Sequence, residues 1–372
     1  MPVDAHILVL GAGVTGLTSA MLLAEAGYEV TIIAAHVPGD SSIEYTSPWA
    51  GAHWRTHASS EEPMLCDWDI QTYEYWSALL DTENKDLQLH RSGIKMYESY
   101  DYWDGPVTED LWWAPYVRNF RHVSESQEPL ISISKRTPPR APQIANAVAC
   151  RAMAINVPQY LLYLLEQSRS LGVKLIKARL PVGRGLKAAL LAAESTVTVN
   201  GRRLPDCYVN ATGLGARKLC GDEALYPIRG QTVLVKGEAN AITTRIGEGH
   251  RTYCIPRPGS NSTILGGTRE DGEWSETPDP KTTSQILERC SAMVPELLTG
   301  RDGGFEVISV QCGLRPGRNG GPRMEKEDVD GTKVVHAYGH AGAGYQNSVG
   351  SARLVRRLVD ESLTPTFGTA RL

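Results

Sequence analysis

The chain has 372 residues, a formal net charge of −4 and 22% charged residues, a composition typical of a folded globular protein. This charge balance argues against a general surface for nucleic acid or for acidic membranes. No apolar run reaches the roughly 20 residues of a transmembrane helix, and the N-terminal residues match neither a secretory signal nor a transit peptide. Because single cores rarely exceed roughly 250–300 residues, we expect two domains.

The chain begins with the pattern of a strand, a glycine turn, a helix and a second strand. Residues 6–10 are apolar and of β type, residues 11–16 are glycine-rich, and residues 15–26 are rich in Ala and Leu. Residues 29–34 are again of β type. This order predicts one βαβ unit. The aromatic, irregular stretch that follows indicates a second domain.

The middle of the chain returns to an alternation of helix and strand patterns. Asn156 is predicted to cap a helix. Four apolar positions of that helix share one face: Tyr160, Leu161, Leu164 and Leu165. Strands are predicted at residues 173–180 and 206–212. This alternation is typical of the domain that the N-terminal unit begins.

The predicted secondary structure changes type twice in the last part of the chain. Residues 231–267 predict antiparallel strands around a turn at residues 256–260. A strand at residues 333–338, a glycine-rich joint at residues 339–344 and a helix at residues 346–362 then follow. The strand–glycine–helix units at the two ends of the chain are expected to meet in one sheet.

These changes between alternating helix–strand patterns and antiparallel strand patterns predict two interleaved domains in an α/β fold. The first, a Rossmann-type nucleotide domain, is assigned residues 1–57, 150–225 and 330–372. The second, a mainly antiparallel β-sheet domain that holds the substrate, is assigned residues 58–149 and 226–329. No internal repeat accompanies this division.

The glycine turn carries the first functional signal. Gly-Ala-Gly-Val-Thr-Gly at residues 11–16 matches G-x-G-x-x-G between a strand and a helix, which predicts a dinucleotide pyrophosphate at the helix N-terminus. The acidic residue that normally binds the ribose is missing at residues 33–36, so ribose recognition is expected to come from elsewhere, for example from the backbone or His36. This motif alone leaves the choice between FAD and NAD open. The joint at Gly342 and Gly344 offers a second helix N-terminus that can stabilise negative charge.

Neither the cysteines nor the histidines predict a cross-linked or metal-bound protein. The seven cysteines are scattered, odd in number and without a C-x-x-C pair, which favours reduced thiols. His53 and His57, like His336 and His340, are four residues apart but have no third ligand nearby in sequence. No metal site is therefore predicted.

Six segments together resemble the D-amino-acid oxidase family, in particular its fungal members. They cover the whole chain in order, and the Ser-Pro-Trp-Ala-Gly and Gly-Leu-Arg-Pro segments are specific to that family. The six are residues 9–16, 45–51, 209–213, 227–231, 313–317 and 338–345. The resemblance implies non-covalent FAD, oxidation of a D-amino acid to an imine by hydride transfer, and reoxidation of the flavin by O2 with release of hydrogen peroxide.

The same resemblance assigns the reacting groups. Arg315 is similar to the arginine that binds the substrate carboxylate, for which a planar, permanently charged fork is suited. Tyr253 is similar to the tyrosine that donates to the same carboxylate. Both are predicted as catalytic and substrate-binding residues, with Gly342 as a further substrate contact. The predicted cofactor-binding residues are Gly11, Gly13, Val14, Thr15, Gly16, Thr46, Ser47, Gly51, Ala52, Leu180, Thr212, Gly213, Gly342, Gly344, Tyr345 and Gln346.

The departures from the family pattern bear on the substrate. Residues 237–250 lack the lid tyrosine of members that act on neutral substrates, and Arg245, His250, Arg251 and His53 add cationic or ionisable groups. Cations near the pocket favour a second carboxylate, so D-aspartate oxidase is the leading prediction, with His53 and Arg251 as substrate-binding residues. A D-amino-acid oxidase with broad neutral specificity is the alternative.

Three further hypotheses remain open at this stage. A glycine or sarcosine oxidase type of amine oxidase shares the fold, a flavin-binding protein without turnover is a second, and an NAD-dependent dehydrogenase is a third. The C-terminal Ala370-Arg371-Leu372 resembles a peroxisomal address, so a peroxisomal import receptor is an expected partner and a peroxisomal location is expected, with the cytoplasm as the alternative. The other partners are a small D-amino acid and O2, and a homo-oligomer remains open.

Overall fold

The computed structural model describes residues 5–82, 91–107, 109–124, 126–137 and 142–364. The tripeptide Ala370-Arg371-Leu372 lies outside the described residues. Among the described helices, none has the length and apolar character needed to cross a membrane. All seven cysteines are unpaired.

The described residues contain sixteen strands. In chain order they are β1 His6–Leu10, β2 Glu29–Ala34, β3 Ala52–His53, β4 Ile94–Trp103, β5 Arg118–His122, β6 Asn146–Ile155, β7 Lys174–Lys177, β8 Cys207–Asn210, β9 Leu225–Lys236, β10 Ile242–Gly247, β11 His250–Arg257, β12 Ser262–Gly266, β13 Glu270–Asp271, β14 Val307–Arg318, β15 Arg323–Val329 and β16 Thr332–Tyr338.

Eight α-helices accompany them in the same residues. These are α1 Val14–Glu25, α2 Pro63–Thr82, α3 Leu130–Arg136, α4 Val157–Ser170, α5 Gly185–Val199, α6 Ala216–Leu219, α7 Pro280–Ser291 and α8 Ser348–Leu363. Short 3-10 turns at Ser47–Trp49 and Ala341–Ala343 lie close to the cleft described below.

The first sheet has the strand order β15-β16-β8-β1-β2-β7. Its strands are parallel except for β15, which forms a hairpin with β16. Alternate residues of β1 serve the two faces: Ile7 and Val9 join the core beneath α1, α4 and α8, whereas Leu8 and Leu10 join the core beneath α5. This is a Rossmann-type layer, as the sequence predicted, and it places β1 and β16 in one sheet with β8 between them.

The second sheet is larger and mainly antiparallel, in the order β13-β9-β12-β11-β10-β4-β6-β3, with β14 also paired to β9 and β5 to β6. Helix α7 covers one end of it through Ile286 and Cys290, which pack on Val233 and Leu265. The mixed α/β fold class predicted from the sequence is thus confirmed.

The structure corrects the predicted domain bounds at three points. The short strand β3 was assigned to the first domain but pairs with β6 in the second sheet. Strand β6 begins before residue 150 and pairs with β4 along its whole length, so all of it lies in the second sheet. Strand β15 was assigned to the second domain but pairs with β16, because a short turn at Asp330 and Gly331 returns the chain beside the strand it has just left.

Two local predictions also need correction. Helix α4 does begin after Asn156, but the amide of that residue bonds to the carbonyl of Pro258 at 3.1 Å and does not cap the helix. The β-type residues 173–180 contain only the four-residue strand β7, since the chain turns away once its pairing with β2 ends.

Candidate active site

A single cleft of about 620 Å³ runs from the glycine turn of the first sheet to the strands of the second. Its lining includes Gly11 and Gly13 at the carboxyl end of β1, and Arg315 and Tyr253 from β14 and β11. The cleft therefore joins the predicted dinucleotide site to both predicted catalytic side chains. Open α/β sheets bind ligands at this edge, where the parallel strands end.

The glycine turn has the close backbone contacts that its motif predicts. Gly11 has a φ of +107°, and a Cβ on it would lie 2.5 Å from the carbonyl oxygen of Ala211. Gly16 packs against the carbonyl group of Gly11 and does not line the cleft. Its role is to let α1 approach β1, so listing it as a cofactor contact was wrong.

Residues 45–47 brace this turn from the side. Tyr45 donates to the carbonyl of Ala12 at 2.6 Å, and the Ser47 hydroxyl accepts the Val14 amide at 3.0 Å. Tyr345 donates to the carbonyl of Ser47 at 3.0 Å. The amide of Val14 thus has a protein partner, and the turn is held rigid before any ligand binds.

Near the end of β2, where the acid is missing, three side chains contact one another in the lining of the cleft. His36 lines the cleft, and its Nε2 lies 3.1 Å from the Glu44 carboxylate and 3.2 Å from Arg179 Nη2. Glu44 and Arg179 line the cleft as well and are paired at 2.7 Å. Glu44 places a carboxylate in this part of the cleft, where a ribose hydroxyl could donate to it, and the sequence motif missed it because it follows β2 by ten residues.

The second glycine joint differs from its prediction. Gly342 and Gly344 line the cleft, but α8 begins only at Ser348. The first amides of that helix, at Val349 and Gly350, point towards Thr72 of α2, whose hydroxyl accepts them at 3.2 and 3.4 Å. The positive end of α8 is therefore capped by α2 and is not free to stabilise charge in the cleft.

Asp69 connects this joint to the segment beside the cleft. It is fully buried, and its carboxylate accepts from Asn347 Nδ2 at 2.6 Å and Gln346 Nε2 at 3.4 Å. Its carbonyl accepts the Trp54 indole N–H at 2.8 Å. Burial raises the pKa of Asp69 to about 7.

Most predicted cofactor residues line the cleft, and three do not. Those that do are Gly11, Gly13, Val14, Thr15, Thr46, Ser47, Gly51, Leu180, Thr212, Gly213, Gly342, Gly344 and Tyr345. The exceptions are Gly16, Ala52 and Gln346. Ala52 is buried in β3, where it pairs with Ile155 of β6, and Gln346 is turned away from the cleft towards Asp69.

Arg315 lies across the backbone of the neighbouring strand. Its strand β14 pairs with β9, and a Cβ on Gly230 of β9 would lie 2.5 Å from the Arg315 guanidinium carbon. Arg315 Nη1 donates to the carbonyl of Thr268 at 3.3 Å. Gly230 thus provides the space in which the guanidinium rests, and no rule for single residues predicts that role.

Tyr253 rests on glycine backbone in the same way. It faces Gly266 across the β11–β12 pair, and a Cβ on either Gly266 or Gly267 would overlap the phenol ring or its oxygen. The phenol of Tyr253 and the guanidinium of Arg315 therefore approach one short segment, residues 266–268. Two donors held side by side above a cleft suit the two oxygens of one carboxylate.

His53 does not carry the positive charge that the sequence suggested. It does not line the cleft, and its Nε2 is buried with no hydrogen-bond partner among the described residues. Burial, together with Arg55 and Arg251, lowers the pKa of His53 to about 3. The imidazole is neutral at physiological pH, so its use as a cation for an acidic substrate was wrong.

The arginines predicted to attract an acidic substrate are already paired. Arg245 binds Asp104 at 2.7 Å. Arg251 does not line the cleft and binds Glu109, which also accepts from Arg55 Nη2 at 2.7 Å. Arg251 therefore lies beside the cleft with its charge balanced.

One histidine of each pair has a different partner. His336 Nε2 lies 2.8 Å from the Glu327 carboxylate, and His336 Nδ1 lies 3.1 Å from Asn210 Nδ2. His57 Nδ1 lies 3.4 Å from Arg251 Nη1. In the part of the chain that the structure describes, no group of three His, Cys, Asp or Glu side chains is arranged to hold a metal ion.

Comparison with known proteins agrees with this geometry. A family model described as FAD dependent oxidoreductase matches residues 6–358. The D-amino-acid oxidase of Schizosaccharomyces pombe is 35% identical over 93% of this chain and 93% of its own length. The D-aspartate oxidase of Cryptococcus neoformans var. grubii is 31% identical over 94% of this chain and 96% of its own length.

A solved structure agrees on the fold. Glycine oxidase of Bacillus cereus superposes with a TM-score of 0.71 at 17% identity, covering 98% of this chain and 99% of that one. The family match spans both sheets and the cleft between them. The chain therefore belongs to the D-amino-acid oxidase family of FAD-dependent oxidoreductases.

Proposed function

We propose that this protein oxidises D-amino acids, with O2 and water, to 2-oxo acids, ammonia and hydrogen peroxide. One observation carries the proposal: Arg315 and Tyr253 both line the cleft that starts at the glycine turn, and both approach residues 266–268. The match to the D-amino-acid oxidase of S. pombe supports the same reaction.

The residues along the cleft fit FAD. Gly13 lines it without a side chain, and a Cβ there would lie 3.0 Å from the Ser47 hydroxyl, in the space that a pyrophosphate needs. The start of α1 at Val14 and Thr15 supplies the positive end of a helix dipole. When bound, FAD supplies the acceptor for two electrons and passes them to O2.

The protein side chains bind and orient the substrate. The guanidinium of Arg315 would donate to the α-carboxylate from both of its arms, and the Tyr253 hydroxyl would donate to the same group. A Cβ added at Gly342 would lie 3.7 Å from Arg315 Cδ. This glycine therefore leaves room beside Arg315 and Tyr253, which together form the carboxylate clamp. Fixing the carboxylate at two points fixes the α-carbon, and such orientation supplies a large part of the rate enhancement. The amine enters neutral, so the reaction requires no protein base.

We infer that neutral side chains are preferred, because the charges near the clamp balance. Arg315, Arg55 and Arg251 carry three positive charges, and Asp101 and Glu109 carry two negative charges. The one remaining positive charge is matched by the substrate's α-carboxylate. A second carboxylate would have no counter-charge of its own.

A preference for D-aspartate is the second candidate, and one observation favours it. His57 is solvent-exposed, but crowding by protein atoms and the positive charges of Arg55, Arg251 and Arg315 hold its pKa well below the ordinary value. A positive potential at His57 would favour an anionic side chain. The match to the D-aspartate oxidase of C. neoformans points the same way.

Oxygen consumption with matched amino acids tests both candidates. The purified, FAD-saturated protein would be given D-asparagine, D-aspartate, L-asparagine and sarcosine, with hydrogen peroxide measured in parallel. We expect D-asparagine to be the fastest of the four. A faster rate with D-aspartate selects the second candidate, and a faster rate with sarcosine or the L-enantiomer rejects the proposal.

A further inference from the structure

Beside the carboxylate clamp lies a chain of ion pairs with Glu109 at its centre. Glu109 Oε2 accepts from Arg55 Nη2 at 2.7 Å, and Glu109 Oε1 accepts from Arg251 Nη2. Arg55 Nε in turn donates to the two oxygens of Asp101 at 3.3 and 3.2 Å. We refer to Asp101, Arg55, Glu109 and Arg251 as the charge chain.

The charge chain ends next to the predicted substrate position. Arg251 precedes Tyr253 by two residues on β11, so both side chains leave the same face of the strand, roughly 7 Å apart along it. The Nη1 of Arg251 lies 3.4 Å from His57, and the charge of Arg315 acts on His57 as well. Arg251 does not line the cleft, so its charge would act on the substrate side chain from beside the cleft and not by contact.

The two carboxylates of the charge chain differ in position. Asp101 is 8% exposed and pairs with an Arg55 side chain that is 9% exposed, which makes this a buried structural pair. Glu109 is 30% exposed and touches the 39% exposed Arg251. A change at Glu109 would therefore alter the charge of the open end of the chain while Asp101 continues to neutralise Arg55.

From this geometry we propose that Glu109 determines substrate specificity by neutralising Arg251. With Glu109 ionised, the charge chain has no net charge, and the cleft accepts neutral D-amino acids. Without that carboxylate, the chain has one net positive charge beside the cleft, which favours acidic D-amino acids. This inference rests on the proposed function and assigns its substrate class to one residue.

The direct test replaces Glu109 by glutamine, which keeps the shape and removes the charge. D-aspartate and D-asparagine differ in charge but hardly in size, so the ratio of their kcat/KM values isolates the electrostatic effect. We expect this ratio to rise by about tenfold or more in E109Q. A ratio within about twofold of the wild-type value would overturn the proposal.

Glu98 provides a matched control on β4. It is also 30% exposed and also contacts two arginines, Arg121 at 2.8 Å and Arg151 at 3.5 Å. Its partners lie on β5 and β6, neither of which carries Tyr253 or Arg315. E98Q should leave the substrate ratio unchanged, and a shift like that of E109Q would mean that any such ion pair alters specificity, which would overturn the specific role of Glu109.

A substitution of Arg251, the other residue of the ion pair, keeps the proposal testable if E109Q folds poorly. R251Q removes the positive end of the charge chain and should lower the D-aspartate to D-asparagine ratio about fivefold or more. In the double variant E109Q/R251Q the two changes cancel in charge, so the ratio should return to within about threefold of the wild type. If the variants instead lose kcat/KM for D-aspartate and D-asparagine equally, so that the ratio does not change, this explanation is contradicted.

Ligand binding separates this inference from the proposed function. Butyrate and succinate differ by exchange of a methyl group for a carboxylate, and their Kd values can be measured from changes in flavin absorbance without turnover. E109Q should improve the Kd of succinate relative to butyrate about tenfold. If no variant oxidises a D-amino acid, the proposed function fails, and these Kd values still decide the role of Glu109.

Discussion

The two ends of the cleft are built in different ways. The cofactor end uses backbone from short contiguous segments, chiefly the glycine turn at residues 11–16 and the joint at residues 341–344. The substrate end uses the side chains of Arg315 and Tyr253 from distant strands, and both rest on glycine backbone of neighbouring strands. Backbone sites follow from local sequence, whereas side-chain sites depend on strand register.

The largest expected effect lies at the substrate end. R315A removes the charged donor for the α-carboxylate and should lower kcat/KM for D-asparagine by about 10³-fold or more, while FAD binding is retained. Steady-state oxygen consumption and flavin absorbance measure the two properties. R203A, at an exposed arginine paired with Glu29 and Asp206, is the control. A loss below about tenfold would contradict the clamp.

A smaller effect is expected from the glycine that supports Arg315. In G230A the new methyl group would overlap the guanidinium, so Arg315 must move and kcat/KM should fall by about 10²-fold. FAD binding should be unchanged. G105A is a suitable control, since a Cβ at Gly105 meets no atom within 4 Å. Normal activity in G230A would show that the position of Arg315 does not depend on this contact.

Asp69, which links Asn347 to Trp54, gives a prediction about stability. The pKa of Asp69 is raised from 3.8 to about 7 on folding, so the folded state holds this proton more tightly. The stabilisation is complete below the unfolded pKa and is lost as the pH rises towards about 7. Between about pH 5 and about pH 7.5 the wild type should lose about 2 kcal/mol of unfolding free energy relative to D69N.

Denaturant unfolding of both proteins across that pH range measures this difference. His53 and His340 titrate in the opposite sense, because burial lowers their pKa values to about 3 and about 4. Their contributions are common to the two proteins and cancel in the comparison. A difference between the wild type and D69N that stays constant with pH would mean that Asp69 is ionised in the folded state.

The smallest predicted effect concerns the second donor. Y253F keeps the ring over Gly266 and Gly267 and removes only its hydroxyl. We expect kcat/KM for D-asparagine to fall about tenfold, mainly through KM, because Arg315 still holds the carboxylate. Steady-state kinetics over a wide substrate range would show this split. An equal fall in kcat with KM unchanged would assign Tyr253 to the reaction step instead.

The sequence was sufficient for the cofactor end and for part of the fold. The βαβ unit, the meeting of the N- and C-terminal units in one sheet and the glycine turn follow from hydrophobic period and from one local motif. Arg315 and Tyr253 were located by family resemblance. Glu44 was missed because a loop, and not the end of β2, brings a carboxylate to the cleft.

The rest of the substrate end could not be read from single residues. The roles of Gly230 and Gly266 arise from pairing with β14 and β11, which is set by register across distant segments. The prediction that His53 and Arg251 supply free positive charge was wrong for a related reason. Sequence shows that arginines are present but does not show that Glu109 pairs with Arg251, or that burial keeps His53 neutral.

The central claim is that the clamp of Arg315 and Tyr253 presents a D-amino acid to FAD. Anaerobic mixing of the FAD-loaded protein with D-asparagine, L-asparagine or sarcosine tests it most directly through bleaching of the flavin absorbance. We predict rapid bleaching with the D-enantiomer, little with the other two, and slow bleaching with every substrate in R315A. Flavin that stays oxidised with the D-enantiomer, or bleaches equally fast in R315A, would contradict the claim.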